Sequence, residues 1–539
     1  MAAPVTRPEL RLPRDEGGQR IAAIDVGSNS IRLMIADVGP TGAIRIVDEL
    51  KAHPRLATGV LETGHLAEDS MAQALDAMTR MATLARQQGC RRIEAVATSA
   101  VRDARNGRDF LERVRRQTNL RPRILTGTEE ARLAFLSALA HFDLGTGRSV
   151  VMDIGGGSLE LALAADGVVE RLVSFPFGAI RLTEEHLGSG ITLKRVRKLR
   201  KAIRDDIRTV LPVRDWRGAQ VIGSGGTFTN LAGMLLHRQG VTTFRGVHAT
   251  TVHREDLEHI LEQLVDLPAA ARMAVPGLNP GRADIIVAGL AVAAEVLARV
   301  EPRHLTVSAY GIREGLLLDV AKVRPVVQDP GEARERSVRE LAERCRYEAP
   351  HARQVQRLAL QLIDALGQRL GCEPGDRQVL ADAALLHDIG YHINYSRHHK
   401  HSYHLILHAE LLGMTPADQV AVAHVARYHR GKPPRKRHAE FMALPPAQRK
   451  RVRRLAALLR VADGFDRGHV GAIDHVKVRL LDRALRLTPV AVPGASARLD
   501  LWGAARKGDL LAALLGRPVE VVGADGKVVT LDDVVHDAD

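Results

Sequence analysis

The sequence predicts an α/β protein, with a duplicated layered half followed by an all-helical domain and a small tail domain that mixes strands with helix. Three observations carry this prediction. Two apolar strands, in "AAIDVG" (22–27) and "VVMDIG" (150–155), each run into an aspartate, break at a Gly/Ser turn and resume as a second strand-like run. Around them, strand-like runs alternate with segments of helical spacing, the pattern of stacked α/β layers. Beyond about residue 333 apolar residues recur only at intervals of three and four, which is helical periodicity.

The chain has 539 residues, too many for one core, so two to four domains are expected. Hydrophobic residues at 45% and charged residues at 26% describe an ordinary globular protein. A formal charge of +14 favours a polyanionic partner, whether nucleic acid, an inorganic polyanion or an anionic membrane surface. A merely solubilising Arg-rich surface accounts for the charge equally well. Cys90, Cys345 and Cys372 lie far apart with no CxxC pair, which argues against a disulfide framework or structural zinc and for a reducing cytoplasm. The longest apolar run, "IIVAGLAVAA" (285–294), is bounded by Asp284 and Glu295. It is too short to cross a bilayer and reads as a buried helix, so no integral membrane segment is expected, and the basic charge leaves peripheral membrane association open. The first twenty residues lack the apolar core of a signal peptide.

In chain order, residues 1–20 read as a disordered tail. From 21 to 145 come the strands "AAIDVG", "IRLMIADV" and "RIVDEL", a helix near 70–88, the strand "IEAVATSA", a helix near 107–117, the strand "RILTG" and the helix "EEARLAFLSALAHF". Residues 146–322 rerun that order: strand, Gly turn, two strands, a long helix, then "AQVIGSGGT" opening another helix. A Pro-bearing boundary precedes the helical domain at 333–470. "VKVRLLDRALRLTPVAV" and "PVEVVGADGKVVTL" then place a small β-containing domain at 471–539.

The glycine turns carry the first chemical signal. Backbone N–H groups at Gly27, Ser28, Asn29 and Ser30, and at Gly155, Gly156, Gly157 and Ser158, can point into one concavity and hold an anion. A third loop of the same composition, with Gly225, Gly226 and Thr227, opens a helix, itself a favourable anion site. Asp25 and Asp153 end their strands where a divalent cation would meet phosphate oxygens. Singly, each turn is more often a tight connection. Together they resemble the duplicated ribonuclease-H-like, or actin-like ATPase, fold, whose two domains clamp phosphates between them.

Further stretches narrow the resemblance. "AAIDVGSNSIRL", "AVATSAVRDARNG", "ILTGTEEARLAF", "VVMDIGGGSLELAL" and "VSAYGIREGLLLD" occur in the order found in the exopolyphosphatase / guanosine-pentaphosphate phosphatase (Ppx/GppA) family, over residues 21–322 at least. The resemblance implies removal of a terminal phosphate from inorganic polyphosphate or from guanosine pentaphosphate, with Mg²⁺ or Mn²⁺, by a homodimer. It implies Glu130 as the general base that activates water, and Asp153 and Glu160 as cation ligands. It matches Arg102 to a phosphate-contacting arginine. Arg313 in "GIREG" is left between a phosphate contact and an interdomain ion pair. Glu129 reads as helix N-terminal charge. Leu159 stands where relatives often carry Thr, a lost hydroxyl in one cradle.

In the helical domain, His387-Asp388 resembles the pair that names the HD phosphohydrolases, and His351 and Asp463 are candidates for the remaining ligands of a second divalent metal. His401, His424 and His429 could extend the set to two metals, whereas His398, His399 and His404 read as solvent-facing or hydrogen-bonded. The alternative is a domain that only binds substrate or dimerises. The basic runs at 194–201, 427–438 and 449–454 would steer a long polyphosphate, or are simply solvated helix faces. A sugar or acetate kinase on the same fold shares the cradles but leaves "TGTEEARL" and "GIREG" unexplained. A non-catalytic polyphosphate scaffold is the third reading. Specific nucleic-acid binding lacks any motif, and aromatics at 3% offer few stacking platforms.

Overall fold

The first apolar run forms β1 (Gln19–Val26) and the run beyond its Gly/Ser turn forms β2 (Ile31–Val38), an antiparallel hairpin. The coordinates are a computed structural model that describes residues 19–39, 44–188, 190–210, 216–241, 246–323, 330–409, 411 and 413–529. The disordered tail expected at 1–20 lies outside these residues except for its last two, which open β1. The chain divides into two units, residues 1–235 with 250–328, and residues 236–249 with 329–539.

In the first unit, β3 (Ile44–Ala52) adds to β2, and β4 (Arg92–Ala97) and β5 (Arg123–Ile124) add in parallel on the other side of β1. The order is β3-β2-β1-β4-β5. β1 is an apolar run rather than an alternating one because both faces of the sheet are covered. Ala22, Ile24 and Val26 pack with helices α1 (Glu68–Gln87) and α2 (Gly107–Thr118), while Ile21 and Ala23 join the cluster of Leu316, Leu317 and Val320. Each fully buried Ile or Leu contributes about 1.5–3 kcal/mol, so the register that puts Ile24 and Leu33 inside is strongly held. Helix α3 (Gly127–His141) leads to the second sheet.

That sheet comprises β6 (Arg148–Ile154), β7 (Leu159–Ala165) and β8 (Val168–Phe175), followed after helix α4 (Leu193–Val210) by β9 (Gln220–Ser224). Helix α5 (Gly226–Arg238), β10 (Thr250–Val252), α6 (Arg254–Asp266), α7 (Ile286–Val300), β11 (Leu305–Val307) and α8 (Ile312–Ala321) complete the run. Its order is β10-β11-β9-β6-β7-β8. From β8 to β11 this repeats the first sheet: two antiparallel hairpin links, then strands added in parallel. Helix α7 carries the longest apolar run and is buried almost throughout.

The second unit packs α9 (Pro330–Arg344), α10 (Ala349–Leu370), α11 (Asp376–Leu386), α12 (His398–His408), α13 (Pro416–Arg427) and α14 (Pro446–Gly464) around one apolar cluster. A three-stranded sheet of β12 (Ile473–Leu480), β13 (Leu485–Ala491) and β14 (Val519–Val521) follows, with α15 (Arg498–Lys507) and α16 (Asp509–Leu515) between its second and third strands. No helix among the described residues is long and apolar enough to cross a membrane.

Candidate active site

The two Gly/Ser turns meet at one cleft of about 130 Å³, lined by Gly27, Ser28, Asn29 and Ser30 from the first hairpin and by Gly155, Gly156 and Ser158 from the second. Register decides which side chains enter it. Residues directly opposite in an antiparallel pair project from the same face, and Asp153 lies opposite Glu160 while Asp25 lies opposite Arg32. One hairpin therefore presents two acids and the other an acid and a base. Leu159 lies opposite Ile154, one step along, so its side chain enters the buried core on the other face. The expected loss of a cradle hydroxyl there does not arise.

Glu130 reaches the cleft from the first turn of α3. Thr126 caps that helix by accepting from the Glu129 backbone N–H, and Glu129 accepts in return from the Thr126 N–H at 2.8 Å. Glu129 is thereby spent on the cap and on Arg123, 2.9 Å away, and Glu130 alone points inward, 3% exposed. Its Oε1 accepts from Arg102 Nη1 at 2.5 Å, and the same Nη1 donates to the Leu125 carbonyl. Glu160 accepts from the Ser174 hydroxyl at 3.0 Å.

Burial governs the electrostatics. It pushes the Asp25 and Asp153 carboxyls up to about 6, Glu130 to about 7 and Glu160 well above the usual carboxylate range, where the nearby Glu130 charge adds to the effect. Five acids, Asp25, Glu130, Asp153, Glu160 and Glu314, share the cleft with Arg32, Arg282 and Arg313. Burial brings Arg282 down to about 10, and its guanidinium lies over Gly226, where any Cβ would fall 2.0 Å from it. Arg313 bonds Glu49 at 3.0 Å and also lines the cleft, so it combines the ion pair with a place at the site. Glu314 caps α8 by accepting from the Gly311 N–H at 2.6 Å. Lys51, opposite Arg32 on β3, is brought down to about 8 by burial and by Arg32, Arg282 and Arg313.

Three expected cleft residues stand elsewhere. The Thr227 side chain faces Gly289 of α7, because α5 has already begun at Gly226 and turns it inward; Thr229 lines the cleft instead. Gly157 backs onto Ser99, where a Cβ would meet the hydroxyl at 2.3 Å, and Ser99 in turn bonds Ser28 at 2.9 Å. Arg102 stands behind Glu130 rather than in the lining. Arg32, Arg282 and Lys51 were not expected.

In the helical unit His351, His387, Asp388 and Asp463 do converge. The His351 and His387 Nε2 atoms are 3.2 Å apart, Asp388 Oδ2 is 3.4 Å from His387, and Asp463 Oδ1 is 3.8 Å from His351. Of the two expectations for His398, solvent-facing or hydrogen-bonded, the second holds: it is buried, Nδ1 bonds the Tyr395 carbonyl at 3.1 Å, and Nε2 lies 3.1 Å from Asp388 Oδ1. His429 joins it at 3.3 Å. His424 instead packs among Tyr403, Tyr428 and Phe441, which leaves it too apolar a place to ligate and takes its pKa down to about 3. Neither His424 nor His401 belongs to a ligand cluster among the described residues. The basic runs are partly spent internally: Arg200 on Glu258 and Glu295, Arg451 on Asp376 and Asp418.

Comparison with known proteins shows what the chain is similar to. The Ppx/GppA phosphatase family model matches residues 34–323, more than half of the chain, and the model of domain III of that family matches 333–489. Exopolyphosphatase 2 of Mycobacterium tuberculosis is 33% identical over 318 residues, covering 56% of this chain and 98% of its own. A guanosine-5'-triphosphate,3'-diphosphate pyrophosphatase of Pseudoalteromonas atlantica is 25% identical over 425 residues, covering 78% and 81%. Among solved structures, an Aquifex aeolicus Ppx/GppA family member superposes with a TM-score of 0.50 at 30% identity, covering 57% of this chain and 98% of its own. An exopolyphosphatase from Cytophaga hutchinsonii reaches 0.51 at 26% identity, covering 57% and 99%. The chain belongs to the Ppx/GppA phosphatase family, as a hydrolytic enzyme with the family's α/β half and a helical C-terminal region.

Proposed function

We propose that the cleft removes the terminal phosphate of inorganic polyphosphate by attack of water, in a cytoplasmic homodimer. The observation that carries this is the convergence of Asp25, Glu130, Asp153 and Glu160 with Arg32, Arg282 and Arg313 on one cavity. Phosphoryl transfer needs charge neutralisation and in-line positioning more than covalent chemistry, and these residue types supply both. The matching strand order of the two sheets supports reading them as ribonuclease-H-like domains in an actin-like pair, split near residue 145.

The donor set suits a hard cation: all-oxygen, rich in carboxylates, with Asp25 Oδ1 buried and lacking any hydrogen-bond partner. Asp25, Asp153 and Glu160 would hold Mg²⁺ or Mn²⁺, which when bound neutralises phosphate oxygens. Glu130 orients a water and takes its proton. Arg102 holds Glu130 in place, which makes it a positioning residue. The turn N–H groups of the two hairpins receive the phosphoryl oxygens.

Guanosine pentaphosphate is the second reading, since it offers the same terminal group. The row Asp25–Arg32–Lys51, set by the register of β1, β2 and β3, favours polyphosphate: it extends cations away from the reacting centre for a chain of phosphates to follow. Phosphate release should be measured with Mg²⁺ on long-chain polyphosphate and guanosine pentaphosphate in parallel, with and without an acceptor. Faster turnover of polyphosphate, independent of acceptor, is expected. Acceptor-dependent transfer would mean a kinase, and preference for the nucleotide would install the second reading.

A further inference from the structure

Both glycine turns of the cleft are held from behind by backbone donors of a second segment. Behind the first, in the loop after β3, the Arg55 N–H donates to the Asn29 carbonyl at 3.3 Å and the Ala57 N–H to the Ser28 carbonyl at 2.9 Å. Behind the second, the N–H groups of Ala179 and Ile180 donate to the Gly155 and Gly156 carbonyls at 3.0 and 2.9 Å. A trans peptide carries its C=O and N–H in opposite directions. Each bond made at the back of a turn therefore directs the N–H of the next residue away from the backing segment. Those residues are Asn29 and Ser30 in the first turn and Gly156 and Gly157 in the second, and Asn29, Ser30 and Gly156 line the cleft.

The two backing segments meet and form one brace. Ala57 packs against Ala179, Ile180 and Ile285 in a small apolar cluster, and the Gly59 N–H donates to Glu184 Oε1 at 3.2 Å. Gly178 lies flat against the second turn, where a Cβ would fall 2.2 Å from the Gly157 backbone. Arg55 sits at φ 51°, in the left-handed region that costs a residue with a side chain. Its guanidinium crosses to Asp284 Oδ2 at 2.5 Å. Asp284 stands two residues after Arg282 of the cleft and directly before Ile285 of the apolar cluster, so one ion pair ties the brace to the loop that carries a cleft arginine.

We propose that Arg55 is a positioning residue for phosphoryl transfer: through Asp284 it locks the brace that aims the N–H groups of both turns at the terminal phosphoryl group. This rests on the cleft reading above. The pair itself adds little stability, since its side chains are 43% and 48% exposed. Its worth lies in direction, because donors to a developing charge act when they are fixed beforehand.

The test is a double-mutant cycle in the full chain with Mg²⁺ and long-chain polyphosphate, using Arg55→Gly, Asp284→Asn and both together. Glycine adopts φ 51° freely, so Arg55→Gly removes the tie and keeps the turn. A misplacement of about 1 Å costs about a hundredfold, so kcat should fall by about ten- to a hundredfold in each single variant and no further in the double. Orthovanadate, which takes the five-coordinate geometry of a phosphoryl group in transfer, should bind more weakly to all three. Arg55→Lys, which keeps the charge, should recover most of kcat. The Tm should stay within about 4 °C of wild type; if Arg55→Gly does not fold, Asp284→Asn alone decides. An effect of charge alone would move the single variants in opposite directions, because one loses a positive and the other a negative group beside a polyanion. That outcome, or a lowered Tm at unchanged kcat, would overturn the proposal and leave the cleft reading standing, since the wild type still binds vanadate and releases phosphate. A wild type that does neither would overturn both.

Discussion

Glu130→Gln is the sharpest test of the cleft chemistry. The substitution keeps shape and volume at a site 3% exposed, and the amide oxygen of Gln can still accept from Arg102, now at 2.5 Å from the carboxylate. What it removes is the ability to take a proton. A positioned base is worth about 10²–10⁴-fold in rate, or roughly 2.7–5.5 kcal/mol of barrier. The fall should appear in kcat alone, because Asp25, Asp153, Glu160 and the three arginines keep their places. Cation binding should hold or tighten, since the nearby Glu130 charge helps to raise the Glu160 carboxyl. The assay is phosphate release from long-chain polyphosphate over a substrate range, with binding of the same polymer measured separately. A kcat within tenfold of wild type, or a raised KM at unchanged kcat, would refute the assignment of Glu130 as the base.

Other consequences follow from the same geometry. Because burial raises Asp25 and Asp153 to about 6 and Glu130 to about 7, these groups favour the metal-free fold while protonated, and that contribution is lost as pH rises through those values; Mg²⁺ should therefore raise the Tm more at pH 8 than at pH 6, and equal shifts would contradict the reading. Lys51→Ala should raise KM for long polyphosphate about tenfold, the low end of a charge-assisted hydrogen bond at about 1.5–3 kcal/mol, with a smaller effect on tripolyphosphate; parallel kinetics check this. Gly157→Ala should cost about 1–3 kcal/mol of stability through its clash with Ser99, along with most turnover, and Ser99→Ala should restore part of both; thermal unfolding and rate assays of the double variant decide it.

Much of the site was legible because strand and turn chemistry are local. Asp25, Asp153 and the two turns are read from the strand ends themselves, whereas Glu160 and Glu130 came from the family resemblance, and the pairing of β6 with β7 sets Glu160 opposite Asp153. Arg32 was equally legible: it stands two residues beyond its turn as Glu160 does beyond its own, and only attention to acids hid it. Lys51 needed the pairing of β3 with β2, and Arg282 comes from a loop without any motif, so neither can be read from spacing. Thr227 was misplaced because a loop residue and the first turn of a helix look alike in composition but aim differently. His398 was passed over for His401 and His424 because a short 3-10 turn at Ile389–His392, and the loop after it, set where α12 begins and hence which of its histidines faces Asp388.

The two hairpins share a backbone and differ in one charge, and that difference explains how a single cleft serves both a cation and an anion. Had the first hairpin paired Asp25 with a second acid, as Asp153 pairs with Glu160, the cavity would hold a symmetric ring of acids and repel the phosphate it must admit. Arg32 breaks that symmetry, and it lies where it lowers the carboxyl pKa of both Asp25 and Asp153 against the effect of burial. Arg32→Gln removes that support while keeping a donor at the position. Both carboxyls should then move further up, so the acid limb of the pH–rate profile shifts to higher pH, and KM for polyphosphate rises because a charged phosphate contact becomes a neutral one. A pH profile of kcat/KM with Mg²⁺ saturating reads the first effect apart from the second. An acid limb that stays where it is, with only KM changed, would mean that Arg32 binds substrate without tuning the acids, and that the asymmetry of the hairpins serves the anion alone.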